Sequence, residues 1–330
     1  MPSAAPWSTA WSAASRAFYA RQRPGDHFRT ATHVGPLLGG AIARLVGEVD
    51  LALGSPASLH LVDVGAGSGE LLAAVLAALP AEVGERLRPV AVDVRPRPEG
   101  LDPRVSWVRG EALESVPHGI RGLLVAHELL DDVPCDVVEV DGDGVPRLVL
   151  VDPDGVESLG PSLTDDEAWD RLGLSAARAR AWLSAWWPLP EPGARAEIGL
   201  PRDELWAELT SRLDEGTALA VDYGHLRESR PVAGTLTAYR DGDLTAAVPD
   251  GSRNLTAHVA VDALASRAGA TMQRQREALI ALGVDAALPD HALAARDTAS
   301  YLDRLAAASQ AAELLDPAGL GAFWWIRTDV

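Results

Sequence analysis

A strand, a glycine-rich turn and a helix follow one another between residues 59 and 79, and this succession strongly constrains the fold. Four of the six residues of the strand Leu59–Val64 are apolar, which favours a strand buried in a parallel sheet. Glycines at positions 65, 67 and 69 let the backbone turn sharply and approach a ligand closely. The helix that begins at Glu70 then presents free N–H groups at its first turn. The sequence therefore predicts a ligand site at this turn.

The rest of the chain predicts a sheet around the turn. Short apolar runs recur and are separated by helical patterns, which is typical of a parallel sheet covered by helices on both faces. We therefore predict an α/β fold with a doubly wound, Rossmann-like sheet. The further strands are predicted at residues 89–94, 105–108, 122–126 and 218–222.

Four segments are predicted along the chain. Residues 1–55 form an N-terminal helical segment, and residues 56–134 form the cofactor-binding core. Residues 135–217 form an insertion, because two apolar runs flank an Asp-Gly-Asp-Gly hairpin turn and a helical pattern follows. Residues 218–330 return to the sheet and end in helices and a strand. Within them, residues 229–254 are rich in Pro, Gly and Asp and are predicted to be largely loop.

The spacing of the glycines separates two classes of cofactor. A dinucleotide fold requires G-x-G-x-x-G, which would place a glycine at position 70, where this chain has Glu70. The observed G-x-G-x-G, with an acid two residues before the first glycine, resembles motif I of class I methyltransferases. There the acid and the glycines face the amino-acid part of S-adenosylmethionine. The resemblance implies this cofactor, although Asp63 could instead cap the turn. The residues expected to hold it are Asp63, Gly65, Ala66, Gly67 and Gly69.

Three further residues follow strands of the predicted sheet. Asp93 ends the second strand, where a carboxylate can accept hydrogen bonds from both ribose hydroxyls of an adenosine cofactor. NAD and S-adenosylmethionine proteins share this arrangement, so Asp93 does not choose between them. Glu111 follows the third strand, where methyltransferases hold the adenine amino group, or it is a solvated loop carboxylate. His127 follows the fourth strand and is expected to line the ligand crevice.

Cysteine and histidine usage predicts no metal site. His127 and Glu128 are adjacent, but no second histidine follows at helical spacing. Cys135 is the only cysteine, which excludes an intrachain disulfide and a thiolate cluster. A single thiol suits a reducing compartment, so the predicted localisation is cytoplasmic.

The charge of the chain bears on its partners. The sequence has 47 Asp and Glu against 29 Lys and Arg, a formal net charge of −18. Such a surface repels phosphate backbones and anionic lipids and attracts cations, so no nucleic-acid partner is predicted. Solubility alone would also explain the charge. The apolar run 71–79 is too short to span a bilayer, and no membrane insertion is predicted.

Several further segments carry a recognisable pattern. They are Phe28–Ala31 with Val34, Asp63–Leu71, His127–Pro134, Asp222–Gly224, Gly234–Leu236 with Tyr239, and Asn254–Val259. Their order resembles the family of bacterial MidA and mitochondrial complex I assembly methyltransferases, formerly a domain of unknown function. The last three segments are the more distinctive, because glycine turns are widespread. The resemblance spans about residues 27–260 and implies a class I methyltransferase.

The chain departs from the family pattern mainly on the acceptor side. Thr32 and His33 stand where the family has Pro-Glu, and His27 stands where it has Asp. His127 replaces Asn, and Asn254 replaces Asp. For some members the resemblance implies an arginine side chain on a respiratory-complex subunit as the methyl acceptor. The departures indicate a different substrate or a divergent branch.

A guanidinium acceptor requires carboxylates that orient it and accept its proton. Glu128, Asp131 and Asp222 are candidates, because each lies at or just after a predicted strand end. His258 is either a base, as the resemblance suggests, or a packed histidine. Asp132 is instead predicted to be an acid at a helix N-terminus.

Two other functions stay open at this point. One is a methyltransferase-like binding or assembly factor that retains the fold without turnover. The other is an NAD-dependent oxidoreductase, which the missing glycine at position 70 disfavours. The sequence makes no prediction about the oligomeric state.

Overall fold

The computed structural model describes residues 4–22 and 34–330. It divides into two compact units. The sheet unit consists of the described part of 29–128 together with 209–223 and 270–330. The second unit consists of the described part of 1–28 together with 129–208 and 224–269. The family-like segment Phe28–Ala31 and the departures at His27, Thr32 and His33 lie outside the described residues.

The helices, in chain order, are α1 (Trp7–Tyr19), α2 (Pro36–Ala52), α3 (Glu70–Ala78), α4 (Ala81–Arg86), α5 (Ala112–Ser115), α6 (Asp166–Arg171), α7 (Ala176–Trp186), α8 (Leu200–Thr210), α9 (Val261–Ala268), α10 (Gln275–Ala281), α11 (His291–Arg296) and α12 (Thr298–Leu314). The strands are β1 (Ala5–Pro6), β2 (Leu59–Val64), β3 (Leu87–Asp93), β4 (Ser106–Arg109), β5 (Ile120–His127), β6 (Val137–Val140), β7 (Pro146–Val151), β8 (Glu157–Ser162), β9 (Arg195–Glu197), β10 (Leu213–Asp222), β11 (Gly224–His225), β12 (Thr237–Arg240), β13 (Asp243–Thr245), β14 (Asn254–Thr256), β15 (Val259–Ala260), β16 (Thr271–Arg274) and β17 (Trp324–Asp329). Helix α1 belongs to the second unit and helix α2 to the sheet unit, so the predicted segment 1–55 is shared between them.

The sheet unit is built on seven strands in the order β16-β17-β10-β5-β2-β3-β4. Strands β10, β5, β2, β3 and β4 are parallel, while β17 is antiparallel to both of its neighbours. The order reverses at β2, because the chain proceeds to β3 on one side and returns to β5 on the other. In open α/β sheets, ligands bind at the carboxyl ends of the strands where the order reverses. The predicted doubly wound α/β fold is confirmed.

Helix α2 covers the sheet because its apolar residues recur at helical spacing. Leu38, Ile42, Leu45 and Val49 are all buried on it. Gly39 permits close packing against α3, since a Cβ at this position would lie 2.3 Å from the Cβ of Ala74. The glycine therefore lets the helix that follows the glycine turn pack tightly.

Strand β2 lies where the sequence predicts it, and the hairpin of β6 and β7 is also confirmed. Strand β10 begins at Leu213, five residues before the predicted start. The prediction missed these residues because the exposed Asp214 and Glu215 interrupt the apolar run. The loop predicted at residues 229–254 was partly wrong. Strands β12 and β13 form a hairpin there, and β12 also pairs with β14. Its turn is Asp241-Gly242 with φ of +53° and +90°, the positive values that a tight Asp-Gly hairpin turn requires.

The second unit contains a sheet in the order β1-β7-β6-β9, with β8 also paired to β7. Trp7 and Trp11 of α1 are buried in one of its apolar clusters. Trp182 of α7 is buried in another, and its indole N–H donates to Asp203 at 2.7 Å.

Arg202 on α8 is only 1% exposed, and its guanidinium joins two segments of the second unit. It donates to the carbonyl oxygens of Asp131 at 2.9 Å and Val133 at 3.1 Å. It also donates to those of Ala257 at 2.9 Å and His258 at 3.0 Å. One planar cation thus satisfies four carbonyl oxygens, two of which belong to the buried residues Asp131 and Ala257.

Among residues 4–22 and 34–330, no helix combines the length and the apolar character needed to cross a bilayer.

We expect Arg202→Ala to lower the free energy of unfolding by about 3 kcal/mol or more, because several carbonyl groups lose their donor. The matched control is Arg104→Ala, since Arg104 is 54% exposed and pairs with Asp102. Arg104→Ala should lower the free energy of unfolding by less than about 1 kcal/mol. Urea unfolding monitored by circular dichroism measures both values. Equal losses in the two variants would contradict this role of Arg202.

Candidate functional site

The glycine turn after β2 is tied to the neighbouring strand. The N–H groups of Gly65 and Ala66 both donate to the carbonyl oxygen of Val92, at 2.9 and 3.2 Å. Gly65, Gly67 and Gly69 have φ of +75°, +64° and +83°. These left-handed conformations favour glycine, which explains why every second residue of the turn is one. Gly69 immediately precedes α3, so the turn ends at the helix N-terminus.

Asp63 lies at the base of this turn and is 3% exposed. Within the described residues, its Oδ2 atom has no hydrogen-bond partner. Burial raises the pKa of Asp63 to about 7, and the neighbouring carboxylates of Asp93 and Glu70 contribute to the shift. Asp63 is therefore a buried acceptor that ionises near neutral pH.

Asp93 holds the turn from the adjacent strand. Its Oδ2 accepts the N–H of Gly67 at 2.8 Å, and its carboxylate pairs with Arg95 at 3.0 Å. Glu111 immediately precedes α5 and is exposed. Both residues lie at the carboxyl edge of the parallel strands, as the sequence predicted for a ligand site, and their contacts to a cofactor stay predictions.

His127 ends β5, next to β2 in the sheet. Burial lowers the pKa of His127 to about 4, so the imidazole is neutral at pH 7. Its Nδ1 lies 3.4 Å from Oε1 of Glu128. Because the ring is neutral, this contact is not an ion pair. Its Nε2 is buried and has no hydrogen-bond partner within the described residues.

Glu128 and Asp222 follow the ends of neighbouring strands. His127 stands opposite Val221 in the parallel pair, and the N–H of Glu128 donates to the carbonyl oxygen of Val221 at 2.8 Å. Glu128 has a φ of +51°, which is unusual for a residue other than glycine and is often found at functional sites. Asp222 is 1% exposed, and its Oδ1 accepts the N–H of Tyr223 at 3.0 Å. The two residues thus lie at one edge of the sheet.

His258 belongs to the second unit, where its backbone is firmly held. Its N–H donates to Thr235 Oγ1 at 3.0 Å, and that hydroxyl donates to Glu197 at 3.0 Å. Its ring lies 6.3 Å, centroid to centroid, from that of the buried His225. His258 is exposed as a residue, and desolvation lowers the pKa of its imidazole. Its role, as a base or as a packed histidine, stays a prediction.

The prediction that Asp132 lies at a helix N-terminus was wrong, because no helix begins there in the described chain. Asp132 instead contacts Tyr19 Oη and accepts the Nδ2–H of Asn254 at 3.0 Å. Desolvation and the neighbouring Asp131 raise the pKa of Asp132. Tyr19 Oη also lies 3.0 Å from the carbonyl oxygen of the Asn254 side chain.

Sequence reasoning missed Arg202 and Tyr19, and it assigned no role to Arg95. None of the three belongs to a motif: Arg202 and Tyr19 contact residues distant in sequence, and Arg95 pairs with the side chain of Asp93 two residues earlier. The departure at position 254 was a usable signal, since an amide can donate to Asp132 where a carboxylate would repel it.

Within the described residues, no group of three His, Cys, Asp or Glu side chains is arranged to hold a metal ion.

The glycine turn fits the cofactor that the sequence implies. The buried Oδ2 of Asp63 can accept from the α-ammonium group of S-adenosylmethionine, and glycine allows the backbone of the turn to approach the cofactor closely. The three carboxylates at the turn would attract the cationic sulfonium and ammonium groups, whereas they would repel the pyrophosphate of a dinucleotide.

Comparisons with known proteins agree with this fit. Residues 41–278 match the family described as "Putative S-adenosyl-L-methionine-dependent methyltransferase". A COG1565 superfamily member from Burkholderia thailandensis, bound to S-adenosyl-homocysteine, has a TM-score of 0.75 and 24% identity, covering 99% of this chain and 88% of that chain. A native structure of a COG1565 superfamily protein from the same organism also has a TM-score of 0.75 and 24% identity, covering 99% and 87% of the two chains. No protein of curated function matches by sequence.

The two solved structures show that the fold is shared, while the family match covers well over half of the chain. The cofactor of this family is S-adenosylmethionine. The chain therefore belongs to the MidA-like family of S-adenosylmethionine-dependent methyltransferases.

Proposed function

We propose that the protein transfers the methyl group of S-adenosylmethionine to an arginine side chain of another protein. The observation that carries the proposal is the pair of carboxylates, Glu128 and Asp222, at the ends of adjacent strands β5 and β10. Strand β5 is also the neighbour of β2, after which the glycine turn lies. Acidic side chains at this edge suit a cationic acceptor.

The proposed chemistry requires alignment and proton acceptance from the protein. When bound, S-adenosylmethionine supplies an activated methyl group for an in-line displacement, and Asp63, Asp93 and the glycine turn would orient it. Glu128 and Asp222 would hold the guanidinium group by charge-assisted hydrogen bonds. One of them would accept the proton that the nitrogen loses, because nucleophilicity develops as that proton leaves.

Three further residues have roles in the proposal. His127 and Glu111 are proposed to border the cofactor, and His258 is proposed as an alternative base because its backbone is fixed and the residue is exposed. The protein is proposed to be cytoplasmic, and the resemblance suggests a subunit of a respiratory complex as its acceptor. The net charge of −18 would favour encounter with a cationic segment of that partner.

The ionisation of Asp63 predicts how cofactor affinity depends on pH. The pKa of Asp63 is raised to about 7, so below neutral pH the carboxyl must lose a proton before it can pair with an ammonium group. We expect the affinity for S-adenosylhomocysteine to rise by about tenfold from pH 6 to pH 8. Isothermal titration calorimetry at both pH values tests this. Asp63→Asn should bind more weakly and lose the dependence, whereas a pH-independent affinity of the unaltered protein would refute it.

The acceptor pair is tested with Glu128→Gln and Asp222→Asn. Transfer of a radiolabelled methyl group to proteins of a cell extract should fall by about a hundredfold in each variant, because each removes a contact with the acceptor in the transition state. The affinity for S-adenosylhomocysteine should change by less than about threefold. The labelled protein, identified by mass spectrometry, should carry methylarginine.

A matched control is Glu215→Gln, at the opposite end of β10, where Glu215 is 52% exposed and pairs with Arg121. It should leave both readouts unchanged. If Glu128→Gln loses cofactor affinity and Asp222→Asn has no effect, Glu128 is a cofactor ligand and the acceptor pair is refuted. Cofactor binding without any labelled product would favour a binding or assembly factor.

A further inference from the structure

The carboxylate of Asp93 is saturated with hydrogen-bond donors. Oδ1 accepts the backbone N–H of Arg95 at 2.9 Å and its Nε–H at 3.0 Å. Oδ2 accepts the N–H of Gly67 at 2.8 Å and Nη2–H of Arg95 at 3.3 Å. A carboxylate offers about four acceptor positions. All of them are therefore in use, by three donors of Arg95 and one of the glycine turn.

A ribose needs the same positions. If Asp93 accepts from two ribose hydroxyls, as proposed above, two of the four donors must give way. The two backbone N–H groups are fixed, since one belongs to the glycine turn and the other lies only two residues from Asp93. The side-chain donors of Arg95 can leave by rotation about the χ angles. The arginine therefore competes with the cofactor for Asp93.

A second carboxylate stands close to Arg95. A Cβ on Gly67 would lie 3.5 Å from Arg95 Nη2 and equally 3.5 Å from Glu70 Oε2. The guanidinium and the Glu70 carboxylate thus flank the same point of the turn, separated by at most twice that distance. Arg95 is 12% exposed, so a guanidinium released from Asp93 without a new partner would lose charge-assisted contacts in a mostly buried position.

We propose that Arg95 moves from Asp93 to Glu70 when S-adenosylmethionine binds, and that it thereby determines the affinity of the glycine turn for the cofactor. The proposal rests on the ribose contact of Asp93. It also assigns a role to Glu70, the residue that stands where a dinucleotide fold has glycine. Glu70 would retain its existing hydrogen bond from the N–H of Ser68, which measures 3.0 Å.

The chain contains a second Asp-x-Arg pair on an exposed segment. In Asp102 and Arg104, the backbone N–H, Nε and Nη2 of the arginine also contact the carboxylate of the aspartate two residues earlier. This arrangement is therefore local to the Asp-x-Arg sequence. Arg104 is 54% exposed and Asp102 is 28% exposed, away from the turn. Arg104→Ala is accordingly the control for the loss of one such arginine.

The test is the affinity for S-adenosylhomocysteine, measured by calorimetry for the full chain. Glu70→Gln should weaken binding by about three- to tenfold, because the displaced arginine loses its new partner. The amide oxygen still accepts from Ser68, so the turn keeps its hydrogen bond. Adding Arg95→Ala to Glu70→Gln should restore the affinity at least to that of the unaltered protein. Arg104→Ala should leave it unchanged.

Other results would overturn the proposal in distinguishable ways. Equal weakening by Glu70→Gln with and without Arg95 would mean that Glu70 contacts the cofactor directly. No weakening by Glu70→Gln, or further weakening on adding Arg95→Ala, would show that Arg95 does not shift to Glu70. The variant Asp93→Asn tests the ribose contact of Asp93 separately from the shift of Arg95. If it leaves affinity unchanged, the ribose contact itself is wrong; if it weakens binding while rescue fails, only the shift is wrong.

Discussion

The burial of one carboxylate beside two others at a single turn is the constraint on which the site depends. Asp63, Glu70 and Asp93 surround a loop of alternating glycines, and burial raises the pKa of Asp63 to about 7, with a further contribution from the two neighbouring carboxylates. The arrangement persists because the backbone of the turn and the side chain of Arg95 donate to Asp93. A cationic ligand would relieve the remaining repulsion, whereas a pyrophosphate would increase it. The charge at the turn thus favours S-adenosylmethionine for the same reason that it disfavours a dinucleotide.

The parts that the sequence predicted well are governed by local patterns. Strand β2 has four apolar residues among its six, and the glycines at alternate positions allow the positive φ values of the turn that follows it. Parallel strands are expected where a helix connects consecutive strands, as α3 and α4 do between β2 and β3 and as α5 does between β4 and β5. Local order also placed Glu128 and Asp222 at neighbouring strand ends, since residues that follow parallel strands lie at one edge of a sheet.

What the sequence did not reveal depends on contacts between distant residues. Arg202 lies 55 residues from Ala257, and its hydrogen bond to that carbonyl leaves no periodic pattern in the sequence. Tyr19 and Asp132 are 113 residues apart. The β12–β13 hairpin was not predicted from the sequence because its strands are short and polar. The Asp241-Gly242 pair is nevertheless typical of a hairpin turn. Arg95 lies only two residues from Asp93 in the sequence. Only the structure shows that hydrogen-bond donors occupy every acceptor position of the Asp93 carboxylate.

The second unit changes how the family-like segments are interpreted. Residues of His127–Pro134 and of Asn254–Val259 are linked by Thr256, which donates to Asp131 at 2.7 Å, and by the four carbonyl contacts of Arg202. These two segments therefore stabilise the fold of the second unit, besides any role in catalysis. The substitution of Asn254 for the family's aspartate fits the same network, because its amide donates to Asp132.

The account is tested most directly by calorimetric titration of the protein with S-adenosylmethionine and, in parallel, with NADH at the same pH and ionic strength. The carboxylates around the glycine turn predict saturable binding of S-adenosylmethionine with one site per chain and no detectable heat with NADH. Saturable binding of NADH together with no response to S-adenosylmethionine would contradict the assignment of the turn.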